Sequence, residues 1–126
     1  MTDNQRRHFT RIPFDADYRL INTVTDQHWS GSVIDLSLKG ALIKRPATLN
    51  AKRGDQFTLD LLLGNEDATI EMQVKVAHIH DDFIGFECHH IDLESMSHLR
   101  RVFELNLGDS ALLEREINEM LKLSQQ

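Results

Sequence analysis

The stretch "QFTLDLLL", Gln56 to Leu63, is followed by the turn signal "GNED" and then by "ATIEMQVKVAHIH", Ala68 to His80. In the first segment Phe57, Leu59, Leu61 and Leu63 recur at every second position. In the second, Ile70, Met72, Val74 and Val76 alternate with Glu71, Gln73 and Lys75. Successive side chains of an extended strand point to opposite faces, so both segments carry one apolar and one polar face. A helix would need apolar residues three and four apart. Two such strands joined by a polar turn predict an antiparallel pair with one face in a core.

The same alternation extends outward in both directions. "ADYRLINTV" (Ala16 to Val24), "HWSGSVIDLS" (His28 to Ser37) and "GALIKRP" (Gly40 to Pro46) precede the pair, and "FIGFECHH" (Phe83 to His90) follows it. Gly85, inside the last of these, indicates a bulge or bend. Short strands separated by tight turns predict an antiparallel meander closed or half-closed into a small barrel. From Asp92 the period changes. Leu93, Met96, Leu99, Val102 and Phe103 form one helical stripe, ended by Gly108, and Leu112, Leu113, Ile117, Met120 and Leu121 form a second. The expected fold class is α+β, a small six-stranded antiparallel β-barrel with C-terminal helices. Residues 1–12 are expected as a flexible arginine-bearing segment, 13–91 as the barrel, and 92–126 as helices packed on it.

The chain has 126 residues, 40% hydrophobic and 27% charged, which suits one soluble domain. No apolar run reaches the roughly 20 residues that span a bilayer, and the N-terminus lacks the apolar stretch of a secretory signal. The single cysteine, Cys88, has no internal partner, so a reducing cytoplasm is expected. The net charge of −6 argues against DNA or RNA as partner. Acids crowd the C-terminal third, whereas Arg6, Arg7 and Arg11 cluster at the front, where a small anion could use them.

Two short stretches carry chemistry. "RRHFTR", Arg6 to Arg11, offers planar guanidinium forks that match phosphate oxygens or the O6/N7 edge of guanine and that stack on purines. By itself it reads first as a solubilising tail. "DLSLKG", Asp35 to Gly40, reads as a strand end and turn. Asp35 is an acceptor suited to the Watson–Crick donors of guanine, Ser37 is both donor and acceptor, and Gly40 permits positive φ or a close backbone approach. Asp35 and Ser37 could instead simply satisfy turn amides.

Taken together, the two stretches resemble the signature of the PilZ family of bacterial cyclic di-GMP receptors, R-x-x-x-R followed by [D/N]-x-S-x-x-G. Arg7-His-Phe-Thr-Arg11 matches the first element and Asp35-Leu-Ser37-Leu-Lys-Gly40 the second. "IGFECHHIDLESMSHLRR" also resembles stand-alone members. The resemblance implies a six-stranded barrel and a non-catalytic receptor that signals to a protein effector. Arg7 and Arg11 would clamp phosphate and guanine, Asp35 and Ser37 would select guanine, and Gly40 would keep the turn flat beneath the ligand. In this family an arginine at the position of Arg6 accompanies two intercalated cyclic di-GMP molecules, so a dimeric ligand is favoured. A residue at the position of His78 can reach the guanine in related proteins. The resemblance implies no cofactor beyond this ligand. A monomer without membrane insertion is expected, and the alternative is a structural adaptor that binds no ligand.

His78 and His80 share a strand face, as two ligands of one ion would, but no flanking acid or thiol completes a tetrahedral set, so metal binding is the lesser reading. Trp29 reads as a half-buried strand anchor and Cys88 as a buried thiol. "LRR", Leu99 to Arg101, reads as the solvated edge of a helix. No catalytic constellation is present in the sequence.

Overall fold

A computed structural model describes residues 9–64, 69–108 and 110–124. The strands are β1 (Ile12–Pro13), β2 (Asp17–Ile21), β3 (His28–Ser37), β4 (Gly40–Lys44), β5 (Gln56–Leu62), β6 (Thr69–Ile79) and β7 (Phe83–Ile91). The helices α1 (Leu93–Leu107) and α2 (Ser110–Ser124) follow. All pairings are antiparallel. The sheet runs β1-β3-β2-β5-β6-β7-β4, and β4 also pairs with β3, which closes six strands into a barrel. The six expected strands and both helices are present. The barrel gains β1, which joins the edge of β3 beyond β2, with Ile12 opposite Leu36 and Pro13 opposite Asp35.

Inner faces follow the period-two reading. Tyr18, Leu20, Leu59, Leu61, Ile70, Met72 and Ile84 are fully enclosed. The Tyr18 hydroxyl donates to the Lys44 carbonyl at 2.8 Å, and burial pushes its phenol up to about 12. Trp29 is half-buried and meets Phe57 edge-on at 6.0 Å, and Phe57 meets Phe86 at the same distance. Cys88 is buried as expected, and burial pushes its thiol up.

Asp92 caps α1 by accepting from the Ser95 N–H at 2.7 Å, and Gly108 ends the helix in the left-handed region. Leu99 and Phe103 are enclosed, and the Ser95 hydroxyl accepts from the Glu71 N–H of β6 at 2.9 Å, which seats α1 on the barrel. Leu93 departs from the expected stripe and is 88% exposed. It is the first residue of α1, where the capping turn carries it away from the barrel. On α2, Leu113, Ile117 and Met120 are buried in the same core cluster as the barrel residues. Arg100 of α1 is exposed, as expected, and pairs with Glu104 at 3.5 Å and with Glu114 of α2. No described helix is long and apolar enough to cross a membrane.

Candidate functional site

Ile12 and Leu36 point inward, so the residues beside them point out. The register of β1 on β3 sets Pro13 across from Asp35, and continuing it one pair sets Arg11 level with Ser37. Arg11, Asp35 and Ser37 therefore share the outer face although they are far apart in sequence. Arg11 is exposed and Asp35 half-buried. Burial pushes the Asp35 carboxyl above its ordinary range, and the Arg11 charge beside it pulls it partly back.

The β3–β4 turn is closed by Ser37. Its hydroxyl accepts from the Lys39 N–H at 3.2 Å and donates to the Gly40 carbonyl at 3.4 Å. The turn role open to Ser37 in the sequence is thus filled. Asp35 keeps its carboxylate on the outer face beside the Arg11 charge. Gly40 pairs with Glu87 of β7, and a Cβ on it would lie 2.0 Å from the Phe86 carbonyl oxygen. Its φ is not left-handed, so of the two reasons offered for a glycine here the close backbone approach is the operative one.

The outer face continues across the barrel. Gly40 is opposite Glu87, Glu87 opposite Lys75, and Gly85 opposite His78. The register of β6 on β7 shifts twice: Ala77 is the extra residue on β6 opposite Gly85, and His89 is the extra residue on β7, so the strand of Gly85 carries the expected bulge four residues further on. The His78 ring packs over Gly85, where an added Cβ would meet Cδ2 at 3.1 Å. A groove of about 720 Å³ runs along this face, lined by Arg11, Asp35, Ser37, Gly40 and His78, all five of which were singled out from sequence. Arg6 and Arg7 lie outside the described residues.

The groove also takes in Phe9, Lys39, Arg53, Lys75 and Glu87, which sequence reasoning did not single out. Lys75 was legible as an outward residue of an alternating strand. Nothing in "AKRGD" connected Arg53 to the motifs. A further contact fixes the arginine segment. Thr10 donates its N–H to both carboxylate oxygens of Glu116 at 3.0 Å and its hydroxyl to Oε2 at 2.5 Å. Glu116 is 2% exposed. It lies inside the apolar stripe of α2, beside Leu113, Ile117 and Met120, and an acid in that setting was the available signal.

Among the described residues no three His, Cys, Asp or Glu side chains come together as metal ligands would.

This barrel, with an arginine leading into β1 and an Asp-x-Ser-x-x-Gly turn beside it, defines a class. The family model described as PilZ domain matches residues 5–105, and the chain belongs to the PilZ family. Several solved structures share the fold. The PilZ domain of YcgR from Escherichia coli, determined with c-di-GMP, is 18% identical with a TM-score of 0.63, over 94% of this chain and 98% of that one. The Bacillus subtilis inhibitor of motility MotI/DgrA is 18% identical with a TM-score of 0.64, over 94% of this chain and 53% of that one. The PilZ domain of CeSA from a cellulose-synthesizing bacterium is 21% identical with a TM-score of 0.61, over 76% of this chain and 97% of that one. The chain thus spans about half of the motility inhibitor and nearly all of the two isolated PilZ domains.

Proposed function

We propose that the chain is a non-catalytic cytoplasmic receptor for cyclic di-GMP that reorders its arginine segment on the ligand and passes the change to a protein effector. One observation carries the reading. Arg11, Asp35, Ser37, Gly40 and His78, drawn from three separate parts of the sequence, line one outer groove. Membership of the PilZ family supports it, as does the E. coli YcgR PilZ domain, whose structure holds c-di-GMP.

In this reading Arg11 and Arg7 clamp phosphate and the O6/N7 edge of guanine, and Asp35 accepts from the opposite edge. Ser37 acts chiefly by holding the turn, while the His78 imidazole stacks on the base. A bidentate arginine–guanine contact contributes about 1–3 kcal/mol, and micromolar binding needs about 8 kcal/mol, so a few such contacts with stacking suffice. Arg6 extends the cationic segment and favours two intercalated ligands.

Titration calorimetry with cyclic di-GMP tests the reading. Binding at micromolar or tighter affinity is expected, with two ligands per chain if Arg6 acts as stated and one if it does not. Recovery of the nucleotide intact after long incubation separates a receptor from an enzyme. Absence of binding would favour the adaptor that takes no ligand.

A further inference from the structure

Among the described residues four cationic side chains border the groove: Arg11 from the arginine segment, and Lys39, Arg53 and Lys75 from elsewhere in the chain. Lys39 is occupied, its ammonium donating to the Cys88 carbonyl at 3.4 Å. Arg53 and Lys75 differ. Among the described residues neither takes part in an ion pair, although the chain carries an excess of acids. They also lie at the other end of the groove from Arg11. From β3 the outer face passes over β4 and β7 to reach β6, three interstrand steps, or about 14 Å along the curved sheet.

Arg53 is held beside Lys75 by backbone bonds. The Gly54 N–H donates to the Val76 carbonyl at 2.9 Å and the Val76 N–H donates to the Asp55 carbonyl at 2.9 Å. Within the turn, the Asp55 N–H donates to the Lys52 carbonyl at 3.0 Å, and the Asp55 carboxylate accepts from the Lys52 N–H at 2.8 Å. Gly54 has φ of 90°, a conformation that favours glycine, so the turn is built and not merely permitted. A carboxylate accompanies each cationic end: Asp35 stands beside Arg11, and Glu87 stands directly across from Lys75. Each end can therefore take a phosphate oxygen on its cation and a base N–H on its acid, as the two halves of a cyclic dinucleotide would offer them.

We propose that Arg53 and Lys75 form a second phosphate seat, reaching a cyclic purine dinucleotide from the side of the groove opposite Arg11. This deepens the receptor reading above and rests on it.

The test uses the full chain and titration calorimetry with cyclic di-GMP. Lys75→Ala and Arg53→Ala are each expected to weaken binding roughly tenfold, the scale of one lost charge-assisted contact. Lys75→Arg should restore most of the affinity. Lys52→Ala removes the same charge from the same turn but does not border the groove, and should bind like the parent. Matched thermal unfolding confirms that each variant is folded. If the parent binds and both alanine variants bind equally well, the second seat is refuted while the receptor reading stands. If Lys52→Ala weakens binding as much as they do, a diffuse field replaces the seat. If the parent itself does not bind, both readings fall together.

Discussion

Ile12 pairs with Leu36 and is 5% exposed, and this inward anchor turns Arg11 outward to the level of Ser37. The arginine's position thus follows from its neighbours, the inward Ile12 and the tethered Thr10. Arg11→Lys keeps the charge and loses the planar fork, so calorimetry should register at least tenfold weaker cyclic di-GMP binding at unchanged stability. Asp35 carries a pH prediction. Its carboxyl lies above the ordinary range because of burial, so in the folded chain it gains a proton earlier as pH falls. In the proposed receptor reading guanine needs it ionised as an acceptor. Affinity should therefore decline on acidification at a higher pH than an exposed aspartate would give, and Asp35→Asn should flatten that profile. Stability moves the other way. A raised carboxyl costs the folded state as pH rises from the unfolded value through the folded one, so Asp35→Asn should not lower the melting temperature at neutral pH. The motif residues were legible singly, since each is a distinctive type at a fixed spacing. That Ser37 spends its hydroxyl on the turn was not, because the same residue serves both roles in sequence.

Elements with strong periodicity were readable from the chain; the devices that join them were not. The six barrel strands alternate over five or more residues, and both helices carry an apolar stripe with a stop or cap. β1 spans only Ile12–Pro13, too short for any period to register, and its proline is tolerated because it lies on the sheet's outer edge. The bulge at Ala77 leaves no mark in composition, though Gly85 opposite it gave the hint. Glu116 ties α2 to the arginine segment through Thr10. Glu116→Ala should leave the Thr10 N–H and hydroxyl without their acceptor, at a cost of about 1–3 kcal/mol, read by chemical denaturation. Hydrogen exchange at the Thr10 amide should quicken in the same variant, while Glu116→Gln, which keeps one acceptor oxygen, should fall between. At the start of α1, Asp92 sits below the ordinary carboxylate range because Ser95 bonds to it. Its capping contribution is present above the unfolded value and is lost as pH falls through the folded one. Asp92→Ala should lower the melting temperature at neutral pH and have little effect in strong acid.

In the molecule as a whole, barrel and helices share one core. Leu99, Phe103, Leu113, Ile117 and Met120 belong to the same buried cluster as the inner faces of the strands. The chain should therefore unfold in one step, with Trp29 fluorescence and helical circular dichroism reporting the same midpoint in urea. Separate midpoints would mean that the helices form a unit of their own. Barrel closure depends on β4 fitting between β3 and β7, and the fit turns on one hydrogen-sized side chain, because a methyl on residue 40 would press 2.0 Å from a β7 carbonyl. Gly40→Ala should cost 3 kcal/mol or about that, whether or not nucleotide is present. This divides the signature into parts under different obligations. If the proposed receptor reading holds, a descendant relieved of its ligand would still be forced by its own architecture to keep this glycine, while the exposed arginine before β1 would be free to change, so the loss of that arginine, not the persistence of the glycine, is the mark by which a silent descendant would be known.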